Sequence, residues 1–147
     1  MFTYNIQLAG YSHDKWDEMG ETTFEGFKRT FEEFPWAGQL AIYDKLQEGC
    51  SATLSVSAPG ERKVLWVSIA GDSNKHSFLI GFVYQKERKG LFGFGKEKTI
   101  KWVDIYQAED KPKIIELFGL FFDQQFHTLQ SELVQLKKFD SMKAYIQ

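Results

Sequence analysis

Between Ser51 and Gln107 the chain runs in short apolar blocks that predict four consecutive strands: Ser51–Ser57, Lys63–Ala70, Ser77–Gln85 and Lys98–Gln107. In the first, Ala52, Leu54 and Val56 alternate with Thr53, Ser55 and Ser57, the period of a sheet with one wet face. The second and third are nearly unbroken β-branched and aromatic runs, the pattern of central strands covered on both sides. The fourth, KTIKWVDIYQ, is mixed. Short connections, with Pro59-Gly60 in one turn and Gly71-Asp72-Ser73-Asn74 in another, favour antiparallel neighbours in a meander. Phe2, Tyr4, Ile6 and Leu8 alternate with polar residues and predict a further strand beside it.

Helical periods flank this frame. Thr22 and Glu25 have the spacing of a capping box, and Phe24, Phe27, Phe31 and Phe34 follow on one stripe until Pro35 stops the helix. A second helix is predicted over Ala37–Gln47, with Gly49 as its left-handed C′ residue. From Asp110 as N-cap, with Pro112 in the first turn, an apolar period from Ile115 to Leu136 predicts one long helix over Pro112–Phe139, either bent near His127–Leu129 or overhanging the sheet at its end. Ser141–Gln147 reads as a tail, and Ser12–Glu21 as loop or a short helical turn. The expectation is an α+β fold in a single domain spanning residues 1–147. A four- to five-stranded antiparallel meander packs against a long C-terminal helix and two short N-terminal helices.

Composition narrows the function classes. The chain has 147 residues with 14 Phe, 6 Tyr and 4 Trp, enough apolar surface to need no metal or disulfide for a core. The single cysteine, Cys50, excludes an internal disulfide and reads as a small hydrophobe at a strand start. The N-terminus lacks the basic and apolar regions of a signal peptide, and no apolar run reaches a membrane span, so a cytoplasmic location is expected. Net charge is −2, unevenly placed. Asp14–Glu48 carries nine acids and four bases, and Gly71–Lys101 carries seven bases and three acids. A two-signed surface argues against a nucleic-acid or membrane binder.

Motifs for chemistry are sparse. Gly90, Gly95 and Lys96 match the opening of a P-loop, but Glu97 stands where a hydroxyl must hold Mg²⁺, and a strand follows instead of a helix. His13, His76 and His127 lie on separate elements with no zinc spacing. A Cys50–His pair could only assemble in space. Asp104 interrupts an apolar strand and reads as a sheet-edge or solvent-face acid. No catalytic, cofactor-binding or metal-ligating residue is assigned, and no cofactor is expected.

The acidic aromatic helix ending in Phe34-Pro35-Trp36 precedes the blocks Leu65–Gly71 and Phe78–Tyr84. With the small size and sparse motifs, these features resemble the small cytosolic immunity proteins of bacterial contact-dependent or type VI toxin systems. The resemblance is architectural and rests on no diagnostic motif. It implies a non-catalytic protein that binds and occludes one cognate toxin domain. Candidate contacts are the acids Asp14, Asp17, Glu18, Glu21, Glu25, Glu32 and Glu33, with Trp16 as aromatic anchor. A second candidate contact is the positive tip holding Phe92, Phe94 and Lys96. The competing expectation is a small-ligand-binding or enzymatic domain with a pocket between sheet and helices.

Overall fold

The computed structural model describes residues 1–60, 62–71, 75–88 and 98–144. Seven strands, β1 (Thr3–Gln7), β2 (Asp17–Glu21), β3 (Thr53–Ser57), β4 (Val64–Gly71), β5 (His76–Arg88), β6 (Lys98–Ala108) and β7 (Lys137–Lys143), form one sheet in the order β2-β1-β3-β4-β5-β6-β7. Every pairing is antiparallel. Helices α1 (Phe24–Glu33) and α2 (Trp36–Leu46) link β2 to β3, and α3 (Lys111–Phe122) and α4 (Phe126–Leu133) link β6 to β7.

The four-strand meander and the α+β class are as expected, and β1 joins β3 as the neighbouring strand. The helices lie against one face of the sheet. There Leu54, Val56, Leu65, Val67, Ile69, Ile80 and Phe82 meet Phe27, Phe31, Leu40, Ile114, Phe118, Phe121 and Leu129, each no more than 2% exposed. Phe27 packs at a tilt on Phe118 with centroids 4.4 Å apart, and Phe82 meets Phe121 edge-on. Each such ring contributes about 1.5–3 kcal/mol of burial. Trp36 turns the chain between α1 and α2, its indole N–H donating to the Phe31 carbonyl at 3.0 Å. The other face of β4 and β5 carries no helix among the described residues, so these strands are central but covered on one side only.

Three expectations need correction. The sheet has seven strands, not four or five. The long C-terminal helix is two helices and a strand. A Schellman arrangement ends α3: the Gln125 amide donates to the Leu120 carbonyl, the Gln124 amide donates to the Phe121 carbonyl, and Gln124 sits at φ 57°. The apolar period survives this break because α3 and α4 face the same sheet, so Phe118, Phe121 and Leu129 share one core. The chain then returns as β7, an exposed edge strand. Finally, Asp17–Glu21 is a strand, β2, paired on β1 with every residue exposed. Neither of its sides is buried, so it shows no alternation.

Smaller shifts concern the caps. Thr23, not Thr22, caps α1, its hydroxyl accepting the Gly26 amide at 3.1 Å. Helix α2 ends at the left-handed Gln47, φ 55°. Gly49 serves another purpose: a Cβ there would lie 2.7 Å from the Gly10 carbonyl oxygen.

Both sheet edges are bulged. Met19 is the extra residue where β2 pairs with Tyr4-Asn5, and Phe139 the extra residue where β7 pairs with Ile105-Tyr106. Each is a large apolar side chain in water, 47% and 60% exposed.

Candidate partner interface

The segment between β1 and β2 is tied down locally. The Cys50 amide donates to the Tyr11 carbonyl at 2.8 Å, and the Gly10 amide donates to the Cys50 carbonyl at 2.9 Å. The Gln7 side chain donates to the Lys15 carbonyl at 3.1 Å. On this frame Ser12, Asp14, Lys15, Trp16, Asp17 and Glu18 line a broad, shallow depression of about 790 Å³. The Ser12 hydroxyl donates to Asp14 at 2.7 Å, and that bond holds the Asp14 carboxyl below its ordinary range. The Tyr11 hydroxyl donates to Asp17 at 2.9 Å, which pushes the phenol up. Lys15 sits 4.2 Å over the Tyr11 ring. Asp14, Asp17 and Glu18 are exposed, and Trp16 is half-buried.

The structure therefore brings four of the predicted residues, Asp14, Trp16, Asp17 and Glu18, onto one surface. Glu21 is at the other end of β2, about 13 Å along the strand from Asp17. Glu25 follows in the first turn of α1, where an acid complements the helix dipole. Glu32 and Glu33 lie in the last turn, where the dipole disfavours acids and no base accompanies them. Among the described residues, none of these seven acids forms an ion pair. Phe92, Phe94 and Lys96, with the P-loop-like run, lie outside the described residues. Met19 was not singled out from the sequence. Its only signal there is an apolar residue isolated among Asp17, Glu18 and Glu21.

The opposite corner of the sheet is basic. Arg62, Lys63, Lys101 and Lys143 line a cleft of about 510 Å³ with Ser57, Val64, Gln85 and Ile100. Arg62 holds a left-handed backbone, φ 51°. Of these four cations only Lys101 comes from the basic stretch Gly71–Lys101.

Two groupings have a chemical look. Asp104, on the helix-bearing side of β6, accepts the Tyr84 hydroxyl at 2.9 Å and the Ser141 hydroxyl, with Lys138 at 3.9 Å. Ser141 also accepts the Trp102 indole N–H at 2.9 Å. Burial first, and then the bond to Asp104, push Tyr84 up to about 12. This carboxylate takes one hydroxyl donor on each oxygen and fastens β7 across β6 to β5. Cys50 and His13 also meet, Sγ to Nδ1 at 3.2 Å. Burial pushes the Cys50 thiol up, the wrong direction for a nucleophile, and among the described residues the other His13 nitrogen has no hydrogen-bond partner. The layer between sheet and helices, where a ligand pocket would sit, is filled by Phe27, Phe31, Phe118 and Phe121. Among the described residues no three metal-ligating side chains converge, and no helix is long and apolar enough to cross a membrane.

No family model, no curated protein and no solved structure matches the chain.

Proposed function

We propose that this chain is a non-catalytic binding protein that covers a basic protein surface with its acidic β1–β2 edge. In the form suggested by the resemblance to immunity proteins, the covered surface belongs to a cognate toxin domain. The observation that supports this reading most directly is the gathering of Asp14, Trp16, Asp17 and Glu18 around one open depression, with Met19 exposed beside it. Acids that form no ion pair among the described residues keep their field for an incoming partner and raise its rate of encounter. Trp16 and Met19 supply apolar area among them, as an interface anchor requires. A contact of ordinary size, about 1,600 Å² in total, would extend from the depression along β2 to Glu25.

The test uses the tagged chain as bait in an extract of the cells it comes from. A basic protein should be retained by the wild type and lost from a variant carrying Asp17→Lys, Glu18→Lys and Glu21→Lys. Its association rate at low salt should fall at least about tenfold in that variant. Equal retention and equal rates for both baits would remove this edge from the function.

A further inference from the structure

Strands β5 and β6 outrun their neighbours. β4 begins at Val64, opposite Val83, and among the described residues β7 pairs along β6 only as far as Trp102. β5 and β6 stay paired with each other as far as Arg88 and Lys98. The basic cleft lies at the root of this ribbon, lined from one side by the β3–β4 turn and from the other by the end of β7. Backbone bonds hold both walls. The Ala58 amide donates to the Lys63 carbonyl at 2.9 Å, closing the turn, and the Ala144 amide donates to the Lys101 carbonyl at 2.9 Å.

The lining carries one sign of charge. Arg62, Lys101 and Lys143 form no ion pair among the described residues, and no described Asp or Glu lines the cleft. The fourth cation, Lys63, is drawn over the Phe126 ring, 4.9 Å from its centroid. Lys101 is half-buried. A half-buried ammonium with no carboxylate beside it loses hydration and gains no counter-charge, which favours an anion in front of it. A recess lined by one sign of charge also concentrates counter-ions.

The neutral lining narrows the class of anion. Ser57 and Gln85 bring a hydroxyl and an amide, and Val64 and Ile100 bring apolar wall. A carboxylate has two oxygens, which one guanidinium fork can satisfy. A phosphate monoester has three acceptor oxygens and close to two charges, which suit three cations and two neutral donors. The volume of about 510 Å³ falls within the range of small-molecule sites.

We infer that this cleft binds the phosphate monoester group of a small molecule. Arg62, Lys101 and Lys143 surround the phosphoryl oxygens, and the rest of the molecule lies against Val64 and Ile100. The cleft shares no residue with the acidic depression, so it stands whether or not that edge meets a partner. Arg62 sets binding against stability, because its φ of 51° is one that glycine adopts freely and arginine does not.

Isothermal titration calorimetry of the whole chain with phenyl phosphate, at about 50 mM salt, tests the inference. A dissociation constant of about 1 mM or tighter is expected, with benzoate at least about tenfold weaker. Lys101→Gln and Arg62→Gly should each raise the constant at least about tenfold, the second without lowering the urea midpoint. Lys143→Gln serves should Lys101→Gln misfold. Lys137→Gln, a cation outside the cleft, should leave binding unchanged. Cosedimentation with phosphatidylcholine vesicles carrying phosphatidic acid identifies the source of the group. Retention lost in the same variants assigns a lipid headgroup, and phenyl phosphate binding without retention assigns a soluble molecule. No binding of phenyl phosphate up to about 10 mM would overturn the inference. So would equal affinity for benzoate, an unchanged constant in Lys101→Gln and Arg62→Gly, or tighter binding of a short oligothymidylate, which would indicate a nucleic-acid surface.

Discussion

Replacing Gly81 by Ala places a methyl group where the Trp66 indole now rests. The new Cβ would lie 2.1, 2.2 and 2.6 Å from ring atoms Cε2, Cζ2 and Nε1, and ordinary contact begins at 3.4 Å. The ring must therefore retreat by about 1.3 Å, since 3.4 less 2.1 is 1.3, or swing off the sheet. Overpacking of this kind costs about 1–3 kcal/mol. Alanine returns about 0.4–1 kcal/mol by restricting the unfolded chain. The net loss should be about 1–2 kcal/mol, a fall in Tm of about 2–8 °C for a chain of this size. Urea unfolding followed by far-ultraviolet circular dichroism, on Gly81→Ala, Trp66→Val and the double variant, isolates the cause. With valine at 66 the methyl meets no ring, so Gly81→Ala should cost no more than about 0.5 kcal/mol and the coupling should reach about 1 kcal/mol. An equal cost of Gly81→Ala in both backgrounds would refute the reasoning, because the indole would then not be the obstacle.

Gln124→Gly should stabilise the fold by about 0.5–1 kcal/mol, since glycine adopts the left-handed C′ conformation of α3 without penalty, and an unchanged denaturation midpoint would count against that. The raised Tyr84 group makes stability depend on pH: a folded value near 12 against an ordinary 10.0 favours the neutral phenol. That contribution is whole below about pH 10 and fades as pH rises through about 12, so the stability gap between wild type and Tyr84→Phe should narrow across this window. A gap that stays constant would mean that Asp104 does not select the protonated tyrosine. Gly49→Ala should cost about 1–3 kcal/mol, because φ 80° and the Gly10 backbone both oppose a side chain there, and a neutral result in urea unfolding would contradict the packing described.

What could be read from the residues divides along physical lines. β3, β4, β5 and β6 were legible because buried strands must repeat apolar residues, and Leu65, Val67, Ile69, Ile80 and Phe82 do. β2 and β7 were not, because edge strands bury neither side, and DEMGE and KKFDSMK follow no period. The division between α3 and α4 was masked by a shared apolar face, and the left-handed turn falls on glutamine where glycine is the usual signal. In the candidate site, Asp14, Trp16, Asp17 and Glu18 are near in sequence and near in space, so proximity could be guessed. The meeting of His13 with Cys50, and of Asp104 with Ser141, depends on register between distant segments and had no local trace.

The order of strands has a consequence for how the chain finds its shape. The central four strands zip up between near neighbours, but β1 reaches β3 and β7 reaches β6 only after a pair of helices has been spanned, as in Thr3 with Ser57 and Trp102 with Lys143. Closing these loops of about 50 and about 40 residues differs in entropy by only about 0.2 kcal/mol, so chain length does not decide which flank docks first. Side-chain burial does. Phe2, just before β1, and Tyr4 and Ile6 within it reach the core cluster, whereas β7 brings no residue to it. The amino-terminal flank should therefore belong to the folding nucleus and the carboxy-terminal strand should join late, so that truncating Ile6 slows refolding while loosening β7 chiefly hastens unfolding.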